Sequence, residues 1–205
     1  MLRLIRASDH RRERWKNGLG WTNEIARGPI GSRRGNASDH GGAHDAWDWR
    51  LSIAEIDRDC VFSAFPGIDR TLVLLDGVGM TLRFADGEIV DLRSRGAQID
   101  FAGERTLDCV LADGPTRDFN VMWRRDRLTA TVAIRRAAAP SNLPIACGDI
   151  VAIHLLDGAM TCADGATSFA IDEGDTLVAQ NHGAVVLRPE GEAQVLVVRF
   201  GSPHG

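Results

Sequence analysis

Arginine and asparagine stand in this chain where a β-rich pattern calls for apolar residues. In DAWDWRLSIAEI, residues 45–56, strand alternation puts Trp49, Leu51, Ile53 and Glu55 on one face and Arg50, Ser52, Ala54 and Ile56 on the other. Arg50 therefore shares a side with Ile56 and Ala54, and a guanidinium directed into a barrel must be paired. Its planar fork of five donors suits a carboxylate held bidentately. A structural ion pair with Asp48 or Glu24 meets the same need, and at this level both readings stand.

A second cation opens the apolar strand of FSAFPGIDRTLVLL, residues 62–75, where Arg70 either caps a pocket or snorkels to solvent. In GPTRDFNVMWRR, residues 114–125, Asp118, Asn120 and Met122 alternate with Phe119, Val121 and Trp123. Asn120 carries several hydrogen-bonding groups, so burial requires a ligand or a polar network, whereas an exposed edge requires neither. Near the start, WKNGLGWTNEIAR, residues 15–27, packs Trp15, Trp21, Gly18, Gly20, Lys16, Asn17, Thr22 and Glu24 together. Flat apolar walls with a few directed polar groups are what a small-molecule pocket needs, and a tight turn between strands is the plainer alternative.

The elements that position these residues are strands. Helical periodicity is scarce, and short runs rich in Val, Leu, Ile and Phe recur between Asp-Gly turns at 76–77, 86–87, 113–114, 157–158 and 164–165. Strands are expected at 50–56, 70–75, 79–84, 89–92, 107–111 and 119–123, then at 129–134, 150–156, 167–171, 176–179, 184–189 and 193–200. TLVLLDG at 71–77 resembles AIHLLDG at 152–158, which suggests two β modules of one topology. The expected modules are residues 1–134 and 145–205, with a junction in RRAAAPSNLP at 135–144 and a flexible Gly-rich loop at 31–46.

With 205 residues, 44% apolar and 25% charged, the chain is long enough and apolar enough to fold. A net charge of -4 argues against bulk binding to nucleic acid or to an anionic membrane. No apolar run suits a membrane span or a signal peptide, and a cytoplasmic location is expected. Cys60, Cys109, Cys147 and Cys162 form no C-x-x-C pair and read as free thiols. The histidines offer no ligand pair outside the Gly-rich loop, where Gly41 and Gly42 between His40 and His44 oppose a helix, so no metal or other cofactor is expected. His154, inside an apolar strand, reads as a core residue.

The blocks WKNGLGWTNEIAR, DWRLSIAEI, FSAFPGIDR with its following strand, and DFAGERTLDCVLADGPTRDFNVMWRR together resemble the HutD/Ves family of bicupins across residues 15–125. The resemblance implies an all-β fold of two cupin-like jelly-roll modules that requires no metal. It also implies a small-molecule-binding regulator of bacterial histidine utilisation rather than a degradative enzyme, with pathway carboxylates such as urocanate or formylglutamate as ligands. On this reading Arg50 is the main anion clamp, Arg70 a second cation and Trp15 a wall, while Asn17, Glu24 and Asn120 orient the ligand. The alternatives are a metal-independent isomerase or lyase with Glu24 as base, and an interaction module acting through a sheet edge or the loop. Cupin-like sheets often pair into homodimers, although no residue here compels it.

Overall fold

The computed structural model describes residues 1–15, 18–30, 47–180 and 183–203; the expected loop at 31–46 lies outside the described residues. Among the described residues strand follows strand, with a single 3-10 turn at Ala7–Asp9. In chain order the first strands are β1 (Leu2–Ile5), β2 (Arg11–Arg14), β3 (Gly20–Gly28), β4 (Trp49–Ile56), β5 (Cys60–Val61) and β6 (Ile68–Asp76). Next come β7 (Met80–Phe84), β8 (Ile89–Leu92), β9 (Gln98–Ala102), β10 (Leu107–Leu111), β11 (Thr116–Arg124), β12 (Thr129–Ala137) and β13 (Ser141–Pro144). The last are β14 (Ile150–Asp157), β15 (Met160–Ala163), β16 (Ser168–Ile171), β17 (Thr176–Gln180), β18 (Ala184–Pro189) and β19 (Ala193–Gly201).

Two units result. The first contains Arg11–Pro29 and residues 47–127, in a six-stranded sheet β2-β3-β4-β11-β6-β9 and a four-stranded sheet β5-β10-β7-β8. Ile56, Leu72 and Leu74 of the larger sheet pack with Met80, Leu82, Leu92 and Leu107 of the smaller one. Of the described residues, the second unit contains Met1–His10, Ile30, 128–180 and 183–203, in sheets β1-β17-β14-β19-β12 and β13-β18-β15-β16. Its core joins Val151, Ile153, Leu155, Val195 and Val197 to Met160, Cys162, Ile171, Val185 and Leu187.

Without the extra edge strands, the sheets read β4-β11-β6-β9 with β5-β10-β7-β8, and β12-β19-β14-β17 with β13-β18-β15-β16. The order is the same, so the repeated phrase marks a repeated cupin-like module. Even the irregularities match: the β11–β6 ladder slips between Arg117 and Asp118, and the β14–β19 ladder slips between Leu155 and Asp157, each beside an Asp-Gly turn. Both turn glycines are required. Gly77 (φ +96°) and Gly158 (φ +87°) adopt a conformation that disfavours a side chain, and an added Cβ would lie 2.6 Å from a backbone carbonyl oxygen in each case.

The module boundaries differ from those expected at 1–134 and 145–205. Met1–His10 belongs with the later unit, because β1 pairs with β17 from Leu2↔Ala179 to Ile5↔Thr176, and β12 joins it through nine register pairs with β19. RRAAAPSNLP is no linker, since it carries the end of β12 and all of β13. Both are edge strands of their sheets, where Ala and Pro are tolerated and an apolar alternation is not needed.

Candidate functional site

The inner face of the first unit changes character along its length. In β11 the inward residues are Asp118, Asn120 and Met122, and the register sets Asp118 between Ala54 and Leu74, Asn120 between Ser52 and Leu72, and Met122 between Arg50 and Arg70. One end of the barrel is thus closed by packed aliphatic side chains. The other opens into a cavity of about 630 Å³ whose walls include Trp15, Arg50, Ser52, Phe62, Arg70 and Asn120. That volume suits a small metabolite.

Arg50 is held from below and free above. Its Nε donates to Glu24 Oε2 at 2.8 Å, and no hydrogen bond engages its two Nη groups among the described residues. A register slip in β3 between Glu24 and Ala26 explains the partner, because it brings Arg27 directly opposite Arg50 and leaves Glu24 between two cations. Arg27 Nε lies 3.4 Å from the other oxygen of Glu24. Asp48, the other partner considered for Arg50, is engaged by Arg127 at 3.1 Å.

Arg70 does not snorkel. It is only 6% exposed, and its guanidinium carbon lies 5.0, 5.4 and 5.6 Å from the ring centres of Phe101, Phe62 and Phe65. Rings at this range attract a cation through their negative faces while excluding water. Arg70 Nη2 donates to Asn120 Oδ1 at 2.5 Å, and Asn120 Nδ2 donates to Asp118 Oδ1. Arg70 Nε and Asp118 Oδ2 are buried without a hydrogen-bond partner. Burial pushes the Asp118 carboxyl up to about 7, against the downward pull of Arg70 and of the Asn120 amide. Burial likewise pushes Arg70 down to about 10, with Asp118 opposing and Arg50 adding to the fall.

The opening motif turns out to be a hairpin and a wall at once. Trp15 N donates to Gly20 O at 3.0 Å and Gly18 N to Trp15 O at 2.9 Å, which closes the β2–β3 turn. Gly20 is obligatory, since a Cβ there would lie 2.4 Å from Glu55 O and 3.2 Å from the Trp15 ring. Trp15 Nε1 donates to Thr22 Oγ1 at 2.8 Å, leaving the indole edge-on to Phe62 with ring centres 6.5 Å apart. Arg50, Arg70, Trp15 and Asn120 therefore line one cavity, with Glu24 behind Arg50; Asn17 lies outside the described residues.

Asp118 was not among the residues expected at the site. Its alternation with Asn120 and Met122 was legible, but a lone acid on a strand gives no sign that it will be wholly buried. The phenyl box around Arg70 was likewise hidden, because Phe101 joins Phe62 and Phe65 only through the pairing of β9 with β6.

The second module supplies an internal comparison. The shared slip aligns the ladders, so Asp118, Asn120 and Arg70 correspond to Val195, Val197 and Val151, and Arg50 and Ser52 to Thr131 and Ala133. All three valines are core residues. The corresponding mouth has a cavity of about 490 Å³ bordered by Arg199, whose guanidinium is already committed to Asp149 at 2.9 Å and to Pro144 O at 2.6 Å. His154 is a core residue as expected, 2% exposed with Nδ1 2.9 Å from Thr176 Oγ1. Among the described residues no three His, Cys, Asp or Glu side chains gather as a metal site would require, and no helix is long and apolar enough to cross a membrane.

Comparison with known proteins agrees with this architecture. A protein of 21.2 kDa from the hutC 3' region of Pseudomonas putida is 38% identical over 129 residues, 63% of this chain and 62% of that one; the alignment thus spans less than two thirds of the relative. A conserved protein of unknown function from Pseudomonas aeruginosa has a crystal structure that matches 98% of this chain and all of its own, with a TM-score of 0.84 and 30% identity. HutD from Pseudomonas fluorescens, solved in a formate condition, matches 97% of this chain and 98% of its own at a TM-score of 0.74 and 25% identity. A cupin barrel protein from Leptotrichia buccalis shares the fold alone, at 12% identity and a TM-score of 0.53 over 74% of this chain and 83% of its own. The HutD family model matches residues 7–197, and the chain belongs to the HutD family, which is linked to histidine utilisation.

Proposed function

We propose that the protein binds a small carboxylate in the cavity of its first unit and acts, through that binding, as a regulator of histidine utilisation rather than as one of its enzymes. Arg50 offers its two free Nη groups as the principal clamp, Arg70 adds a second, desolvated cation, and Trp15 and Phe62 form the apolar walls. Asn120 and Glu24 hold the two arginines in place, which is how they orient the ligand.

The observation that carries this reading is the difference between the modules. A barrel of this topology packs with valine at the three positions that here hold Asp118, Asn120 and Arg70. Buried polar groups cost stability that apolar residues do not, so the polar set serves something other than folding. Two cations facing a cavity of metabolite size fit an anion. Glu24 is ion-paired with Arg50 and Arg27, a setting that suits an anchor better than a proton acceptor and weakens the case for an isomerase or lyase built on it.

Urocanate and formylglutamate are the proposed ligands. Isothermal titration with urocanate, formylglutamate, formiminoglutamate and histidine, beside Arg50→Ala, tests the proposal. The expected result is saturable binding of at least one carboxylate, weakened about 30-fold or more by loss of the charged hydrogen bonds in the variant, with the ligand recovered intact by mass analysis. A converted product would transfer the case to an enzyme, and silence from all four would remove the assignment.

A further inference from the structure

Resting on the proposed carboxylate site, we infer that binding is proton-coupled: Asp118 takes up a proton as an anion docks on Arg70, so the protein binds an anion and a proton together. Three features of the geometry lead there. Asp118 is fully buried, and one of its carboxylate oxygens has no hydrogen-bond partner at all. Its connection to the cavity runs through one amide, since Asn120 donates to Asp118 and accepts from Arg70. Finally, Val195 at the equivalent position of the second module shows that the barrel can be built without an acid there.

The charges around Asp118 decide the direction. On its own strand stands neutral Asn120; β6 contributes Arg70, and β4 contributes Arg50 one step further away. From the smaller sheet come the thiols of Cys60 on β5 and Cys109 on β10, both of which sense Asp118, and Asp59 lies beyond them. Arg70 is the cation that keeps the Asp118 carboxylate charged, holding its titration down toward about 7 against the effect of burial. A docked anion cancels that charge. Arg70 is then shared between two negative groups, while Arg50 is already opposed by Glu24, and the carboxylate with a spare oxygen relieves the excess by binding a proton from solvent. An anion thus binds more weakly as pH rises, because at high pH the proton is harder to obtain.

The test counts protons. Formylglutamate and, at high concentration, formate serve as probes, because neither titrates between pH 6 and 9. Each is titrated calorimetrically at pH 8 in two buffers of different ionisation enthalpy, with the wild type and Asp118→Asn. The expected outcome is about half to one proton taken up per anion by the wild type and none by the variant. Wild-type affinity should fall up to about tenfold per pH unit above pH 7, while that of Asp118→Asn stays flat. Binding with no proton uptake, or with uptake unchanged in the variant, overturns the coupling and leaves the carboxylate site standing. Absence of binding by both probes at pH 6 and at pH 8 overturns the coupling, and the carboxylate site falls with it only if urocanate and formiminoglutamate also fail to bind. The wild-type proton count is decisive by itself if the variant folds poorly.

Discussion

At the scale of single residues, the unusual feature is a buried arginine that meets a buried aspartate only through an amide. The arrangement has a cost that can be measured. Asp118 titrates near 7 in the folded protein, whereas an unfolded aspartate titrates near 4. The native state therefore binds more protons than the unfolded chain between these values, and stability falls as pH rises from about 4 to about 7 before levelling off. Asp118→Asn removes this dependence. In urea unfolding its stability relative to wild type should rise between pH 5 and pH 8, by on the order of 2–4 kcal/mol. Arg70→Met should have the opposite profile, costing about 2–4 kcal/mol at pH 8.5 and less at pH 6, where Asp118 neutralises itself. Adding Asp118→Asn to Arg70→Met should restore most of the loss at pH 8.5. An Arg70→Met penalty independent of pH would mean that the two groups do not interact.

At the scale of elements, what the sequence revealed depended on how completely each strand is buried. The strands at 89–92, 107–111 and 184–189 coincide with the expected ranges, and β6, β11, β14 and β19 differ only at their ends, because apolar runs between Asp-Gly turns are unambiguous. β3 was not anticipated. Its sequence GWTNEIARG reads as a polar loop because several of its side chains serve the hairpin and the arginines rather than a core. β2, with the sequence RRER, is a fully exposed edge strand whose charges protect the sheet from adding a neighbour, and such a strand has no apolar period to find. The site suffered the same bias: Arg50, Arg70, Trp15 and Asn120 stood out as polar or aromatic intruders, while Asp118 and the phenyl box depended on cross-strand neighbours. Gly20 is the hinge of the element-scale account. Gly20→Ala forces β3 away from Glu55 O or displaces the Trp15 ring, so a loss of about 1–3 kcal/mol is expected, together with a change in tryptophan fluorescence. Unchanged stability and fluorescence would show that Trp15 is not fixed by this close approach.

At the scale of the whole molecule, the chain repeats one module, with valine in the second unit at the three interior positions that hold Asp118, Asn120 and Arg70 in the first. The repeat was visible in two short phrases, but the boundaries were not, since the exchange of Met1–His10 into the later unit rests on strand pairing between distant segments. Equivalence between the modules makes the central claim testable by transplantation. Converting Arg70→Val, Asn120→Val and Asp118→Val together gives the first module the interior of the second. Measuring the stability of this triple variant and its binding of the carboxylate that the wild type prefers separates fold from function. The account predicts a folded protein within about 1 kcal/mol of wild-type stability or above it, with affinity reduced at least a hundredfold. A variant that fails to fold, or that binds as the wild type does, would contradict it.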